Sequence, residues 1–200
     1  MNFVASDMSV SLGAVREALS RLAAEEIVIA TAQRGYRVAS LSSEELNDLT
    51  ETRIALEQIC LRASIAEGGV EWEASLAAAL HRLLRLPEFE NGDCLQLSMA
   101  WSQAHDSFHT ALVSGSRSVW MNKFRSSLYR QAERYRRLSV PLRTGDRDVA
   151  GEHRQLCEAA LARDAESACA LMRSHLMRTS EILLRSPLLM TAERLETAEG

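Results

Sequence analysis

Proline and glycine are scarce in this chain, with three prolines and nine glycines in 200 residues. With Ala, Leu, Arg and Glu abundant, that scarcity leaves little to interrupt helices and points to a mostly helical protein. No run of about 18 apolar residues occurs, which excludes a membrane-spanning helix. The four cysteines, Cys60, Cys94, Cys157 and Cys169, show no CxxC spacing and sit in apolar helical contexts. They read as reduced, buried thiols and not as a disulfide framework. The opening MNFVASDMSV lacks the basic start and apolar core of a signal peptide, so a cytoplasmic protein is expected. A basic surplus is also missing. The formal net charge of −4 excludes a generally basic nucleic-acid coat, although not a small DNA-reading face.

What is present is globular. Hydrophobic residues at 46% and charged residues at 25% leave room for disorder only at the ends, and the length suits one ordinary domain with a small second one. Residues 1–40 differ from the rest. Ser11 is placed to cap a helix over 12–25 whose apolar stripe is Val15, Leu19 and Leu22. A short β-branched run over 27–30 and a second strand candidate over 36–39 follow, with Gln33-Arg34-Gly35 as the turn between them. A helix followed by a glycine-containing hairpin has the form of the second half of a winged helix-turn-helix. It also describes a helix and hairpin of no special purpose.

Ser42 with Glu45 three residues on is a capping box, and the helix it opens runs to Glu67, where Gly68-Gly69 ends it. Further helices are expected over 70–85, 93–113, 118–139, 146–163 and 165–185. Asn91-Gly92, Ser114-Gly115-Ser116, Pro141 with Thr144-Gly145, and Pro187 punctuate them. Six helices joined by short loops make an antiparallel bundle. The expected organisation is therefore a partial winged helix-turn-helix over 1–41, a helical domain over 42–186, and a tail over 187–200.

Four of the five histidines face inward from three of these helices. In the segment WSQAHDSFHTAL, residues 101–112, His105 and His109 lie one turn apart, close enough to share one ion. His105 shares its face with Trp101, Phe108 and Leu112. His153 lies on a stripe with Val149, Leu156 and Ala160, and His175 on one with Leu171, Thr179 and Ile182. A single inward histidine is ordinarily a satisfied core residue. Four converging ones each need hydrogen-bond partners, and one divalent cation such as zinc meets that need together. His81 belongs to no motif and reads as a surface residue. Arg53 stands one turn before Glu57, which by itself suggests an interhelical or surface ion pair. The run 133–137, ERYRR, reads as a solvated face from which one arginine at most turns inward.

The wording of the sequence adds a resemblance. SLGAVREALSRLAAEEIV followed by QRGYRVASLS resembles the DNA-binding domain of GntR-type bacterial transcription regulators. The resemblance implies that Arg16 lies on the recognition helix and reaches DNA, that Ser11 opens that helix, and that Gly35 is the wing glycine. Arg34 and Arg37 flank the wing as phosphate contacts by charge. Leu12 and Ala14 depart from the Arg and Pro that many members carry there. The family's first helix and most of its second have no counterpart before residue 11. The winged domain is therefore expected to be incomplete, with Val15, Leu19 and Leu22 poorly covered.

DLTETRIALEQ, AHDSFHTAL and GEHRQLCEAALARDAESACALMRSHL resemble the FCD effector domain of FadR-subfamily GntR regulators. QAERYRRLSV resembles the subgroup of carbon-starvation-induced, glutarate-responsive repressors. This likeness implies a metal site on three histidines with the spacing of His109, His153 and His175. A fourth ligand, commonly aspartate, is implied one turn earlier, where His105 stands here; Asp106 is one residue off, as a substitute ligand or an outer hydrogen-bond partner. It also implies that Arg53 reaches the cavity beside the metal, where its planar fork suits a carboxylate.

The expected function is that of a homodimeric transcription regulator. Its helical domain binds a divalent metal, zinc or nickel, and a small carboxylate such as the dicarboxylate glutarate, and its winged helix binds operator DNA. Two rivals stand beside it. A metal-dependent hydrolase would use histidine-bound metal or a Cys157–His153 pair, but HExxH and a glycine-framed serine are both absent, and the chain does not read as an enzyme. An effector-sensing dimeric bundle without competent DNA binding is the other.

Overall fold

The computed structural model describes residues 1–24, 27–31, 35–39, 42–90, 96–142, 147–187 and 189. Helix α1 (Asn2–Asp7) is short and carries no apolar period that would announce it. Ser11 caps α2 (Leu12–Ala24) by accepting the Ala14 amide at 3.1 Å. Strands β1 (Val28–Thr31) and β2 (Gly35–Val38) then pair antiparallel, Val28 opposite Val38 and Thr31 opposite Gly35. Gly35 takes a φ of +91°, a conformation open to glycine because it has no Cβ. The Gln33-Arg34 part of the turn lies outside the described residues. Val15 is buried and Leu19 and Leu22 are half-buried. The stripe of α2 is thus better covered than the sequence suggests, since α1 and β1 both pack against α2.

The rest is a six-helix bundle: α3 (Ser43–Glu67), α4 (Val70–Arg85), α5 (Met99–Val113), α6 (Val119–Ser139), α7 (Val149–Leu161) and α8 (Ala165–Leu184). Side chains of Ser42, Ser98, Ser118, Asp148 and Asp164 accept the first orphan amides of α3, α5, α6, α7 and α8. Two helices start later than the periodicity implies. Helix α5 begins at Met99 instead of 93 because Ser98 takes the cap. The preceding backbone is extended, with the Ser98 amide donating to the Glu88 carbonyl at 2.9 Å and the Glu90 amide to the Gln96 carbonyl at 3.0 Å. Helix α7 begins at Val149 because Asp148 accepts the Gly151 amide at 2.7 Å. The Asn91-Gly92 and Thr144-Gly145 turns, and most of the tail, fall outside the described residues.

Cross-helix bonds fix the directions. Along α3 and α8, Thr50 meets Ser180, Gln58 meets the Cys169 carbonyl and Arg62 meets Glu166, so the helices run antiparallel. Along α3 and α6, Glu45 meets Arg134 and Glu57 meets Arg125, again antiparallel. The main core includes Ile54, Leu61, Leu76, Phe108, Leu156 and Met172. A smaller cluster of Leu46, Tyr135, Leu183 and Leu189 sits apart from it. A small cavity lined by Leu46 and Tyr135 of the smaller cluster and by Leu176 of the main core lies where the two part. Among the described residues no helix is long and apolar enough to cross a membrane.

Candidate metal centre

Helix α5 presents His105 and His109 one turn apart, and the α7–α8 hairpin brings His153 and His175 against them. That hairpin turns at Arg163, whose φ of 61° ends α7 just before Asp164 caps α8. Ring centroids of the four imidazoles lie between 4.5 Å (His105–His109) and 6.2 Å (His105–His175) apart. One nitrogen from each falls within 4.8 Å of the others. His105 is 3% exposed, His109 0%, His153 1% and His175 7%, so the cluster is shielded from bulk solvent.

The hydrogen bonding around the rings is uneven. His105 Nδ1 lies 3.0 Å from the Tyr129 hydroxyl, and His175 Nδ1 lies 2.7 Å from Glu152 Oε2. Those contacts orient two rings and leave Nε2 of each uncommitted. His109 has no partner for either nitrogen, and His153 has none for Nε2. A buried polar atom without a partner costs free energy, and three in one cluster call for an explanation. Burial, then the neighbouring histidines, push His105 and His109 well below the usual imidazole range; burial and His175 do the same to His153. Burial lowers His175 as well, against the opposing pull of Glu152. Neutral imidazoles carry the lone pairs that a divalent cation takes, so this donor set fits a metal ion.

Glu152 holds its place through more than His175. It accepts Arg147 Nε at 2.9 Å and Arg178 Nη1 at 2.8 Å. Burial raises its carboxyl, but the bonds from His175, Arg147 and Arg178 together outweigh that and hold it well below the usual carboxylate range. Through Glu152, α7 gives the His175 ring its carboxylate partner. Asp106 itself is exposed and is not one of the four residues whose ligand atoms converge.

Beside the histidines lies a cavity of about 30 Å³ lined by Arg53, His105, Tyr129, Glu133, Arg136 and His175, among others. Arg53 is buried, its Nε 3.6 Å from Glu57 Oε1 and its guanidinium 4.9 Å from the centre of the Tyr129 ring. Glu57 is fully buried and accepts Arg125 Nε at 2.9 Å. From the 133–137 run it is Arg136 that turns inward. It is 8% exposed, lies 5.4 Å from the centre of the Trp101 ring, and grips Glu133. Arg125, Tyr129 and Arg136 sit at one helical face of α6, a spacing that holds for buried polar residues as for apolar ones.

The remaining sequence-derived residues are spread. Arg16 and Arg37 are exposed, Ser11 is the cap described above, and Gly35 is half-buried in the hairpin. Arg34 lies outside the described residues. His81 is exposed. Cys60, Cys157 and Cys169 are free and buried; Cys94 is outside the described residues. Burial pushes the Cys157 thiol up to about 11, so it is a poor source of thiolate at neutral pH.

Residues 48–178 match the FCD domain. The chain is 44% identical over 184 residues to the HTH-type transcriptional regulator BphR of Paraburkholderia xenovorans (strain LB400), covering 92% of this chain and 75% of the relative. It is 37% identical over 190 residues to the HTH-type transcriptional repressor GlaR of Escherichia coli (strain K12), covering 92% and 84%. The fold is similar to E. coli McbR/YncC, with TM-score 0.72, 18% identity and coverage of 92% and 85%. It is also similar to a GntR-type regulator from Rhodococcus sp. RHA1, with TM-score 0.69, 20% identity and coverage of 93% and 86%.

Proposed function

The chain belongs to the FCD-domain family of GntR-type transcription regulators, and from that premise we propose that residues 42–186 form a metal-dependent sensor of a small carboxylate. His105, His109, His153 and His175 hold one divalent ion, for which zinc and nickel suit four imidazoles. The observation that carries this reading is the set of partnerless, buried nitrogens on His109 and His153. When bound, the ion supplies a fixed positive charge beside the cavity. Arg53, held against Glu57 and Tyr129, presents its guanidinium to the same space and anchors a ligand carboxylate.

Residues 1–41 form the DNA-reading unit of a homodimer that represses from a pseudo-palindromic operator. Arg16 on α2 reaches the bases, Ser11 sets the start of that helix, and Arg34, Gly35 and Arg37 make the wing. Ligand and operator then act on one another through the arrangement of the bundle.

Titration calorimetry of the metal-loaded protein with C4–C6 dicarboxylates, glutarate first, tests the ligand half. Loss of a charge-assisted hydrogen bond on Arg53→Ala is expected to weaken binding by about 1.5–3 kcal/mol, roughly tenfold or more. Equal affinity of wild type and variant removes Arg53 as the anchor. No binding by the wild type to any of these acids removes the dicarboxylate.

A further inference from the structure

The cavity beside the histidines already contains a carboxylate, and it is the protein's own. Glu133 accepts Arg136 Nε at 2.7 Å through Oε2 and Arg136 Nη2 at 2.5 Å through Oε1, the fork-on-fork geometry by which arginine binds a free acid. Both residues lie on α6 three positions apart, both line the cavity, and the Arg136 side chain is only 10% exposed. Neither arginine of the cavity spends all its donors: Arg136 Nη1 and Arg53 Nε have no hydrogen-bond partner. Around this space three buried guanidiniums, Arg53, Arg125 and Arg136, meet two carboxylates, Glu57 and Glu133. At about 30 Å³ the cavity has room for a few atoms, not for a five-carbon diacid.

We propose that Arg136 is a second carboxylate anchor of this site and that Glu133 is the internal stand-in which fills it when no ligand is present. The inference rests on the sensor reading above and sharpens it. Ligand binding becomes an exchange of one carboxylate for another on the Arg136 fork, with Glu133 moving toward exposed Arg137, whose Nε it already meets at 3.0 Å. The displaced side chain adds its own volume to the cavity. Two anchors, Arg53 and Arg136, select an acid with a carboxylate at each end. Because the exchange starts from an occupied fork, the apparent affinity is lowered by the population of the occupied state, and weakening Glu133 raises it.

The test uses the full chain and two probes. Glu133→Ala opens the fork, so acetate is expected to raise the melting temperature of this variant more than that of wild type, against chloride at equal ionic strength. The added shift is expected to vanish in Glu133→Ala/Arg136→Gln. Glu133→Gln keeps shape and folding but loses the charge; metal-loaded, it is expected to bind glutarate roughly tenfold more tightly than wild type. Equal acetate shifts in wild type and Glu133→Ala, or glutarate affinity no higher in Glu133→Gln than in wild type when wild type binds it, overturn the proposal. If glutarate binds neither protein while acetate still stabilises only the opened fork, the Arg136 anchor stands and the glutarate reading falls.

Discussion

Burial pushes His105, His109 and His153 well below the usual imidazole range and His175 below it too, and this fixes how stability depends on pH. In the unfolded chain each ring takes a proton near its ordinary value of 6.5; in the fold it stays neutral to lower pH. Below that value the unfolded state therefore binds more protons, and stability falls as pH falls, by up to about 1.4 kcal/mol per pH unit for each histidine. Glu152 does not blur this window. Its carboxyl is depressed from 4.5, so its contribution is kept above that pH and is lost only below it. The urea midpoint of chelator-treated protein is expected to be flat from pH 8 to 7 and to drop from 6.5 to 5, less steeply in His109→Leu. Stability that rises on acidification would mean the rings are charged in the fold. These four histidines were legible in the sequence because each shares a helical face with apolar neighbours. Arg136 was not, since Arg125, Tyr129 and Arg136 make a polar stripe that looks the same whether it faces water or a cavity.

Helices and their junctions carry the next level. At the α5–α6 turn, Ser64 of α3 accepts the Ser116 amide at 2.8 Å within the buried interior. A Cβ on Gly115 would stand 2.8 Å from the Ser64 carbonyl oxygen and 3.0 Å from its Cα. Both are backbone atoms that a side-chain rotation cannot move. Gly115→Ala is expected to cost about 1–3 kcal/mol in urea unfolding, the range for forced overpacking, with helical circular dichroism retained. A loss near zero would show that the turn has slack. The helices themselves were legible to within a residue or two where a serine or aspartate cap coincides with the start of the apolar period, as at Ser42, Ser118 and Asp164. The starts of α5 and α7 were not. At α5 the extended pairing of 88–90 with 96–98 decides the matter through a contact that periodicity does not record, and at α7 the Asp148 cap does so, with the helix starting at Val149, three residues after the expected start.

At the scale of the whole molecule a helix and hairpin precede a six-helix bundle that matches the FCD domain. The two were legible together because short exact segments, SLGAVREALSRL and AHDSFHTAL, carry more information than composition. The coverage of α2 by α1 was not legible, since a six-residue helix has too few turns to show a period. Arg16→Ala is expected to weaken binding to a selected pseudo-palindromic duplex by about 1–3 kcal/mol while leaving non-specific binding nearly unchanged. An equal loss on both DNAs would make Arg16 a phosphate contact. The proposed metal is the point on which the rest turns, because the partnerless nitrogens of His109 and His153 are what a bound ion would satisfy. The most direct measurement is the metal content of the full chain after loading with zinc and exhaustive dialysis, taken with its melting temperature before and after chelation, for wild type and His109→Leu. About one ion per chain is expected in wild type, with a melting temperature that falls on chelation, and little retained metal and no chelator effect in His109→Leu. Wild-type protein that retains no ion and melts at the same temperature with and without chelator would contradict the metal site.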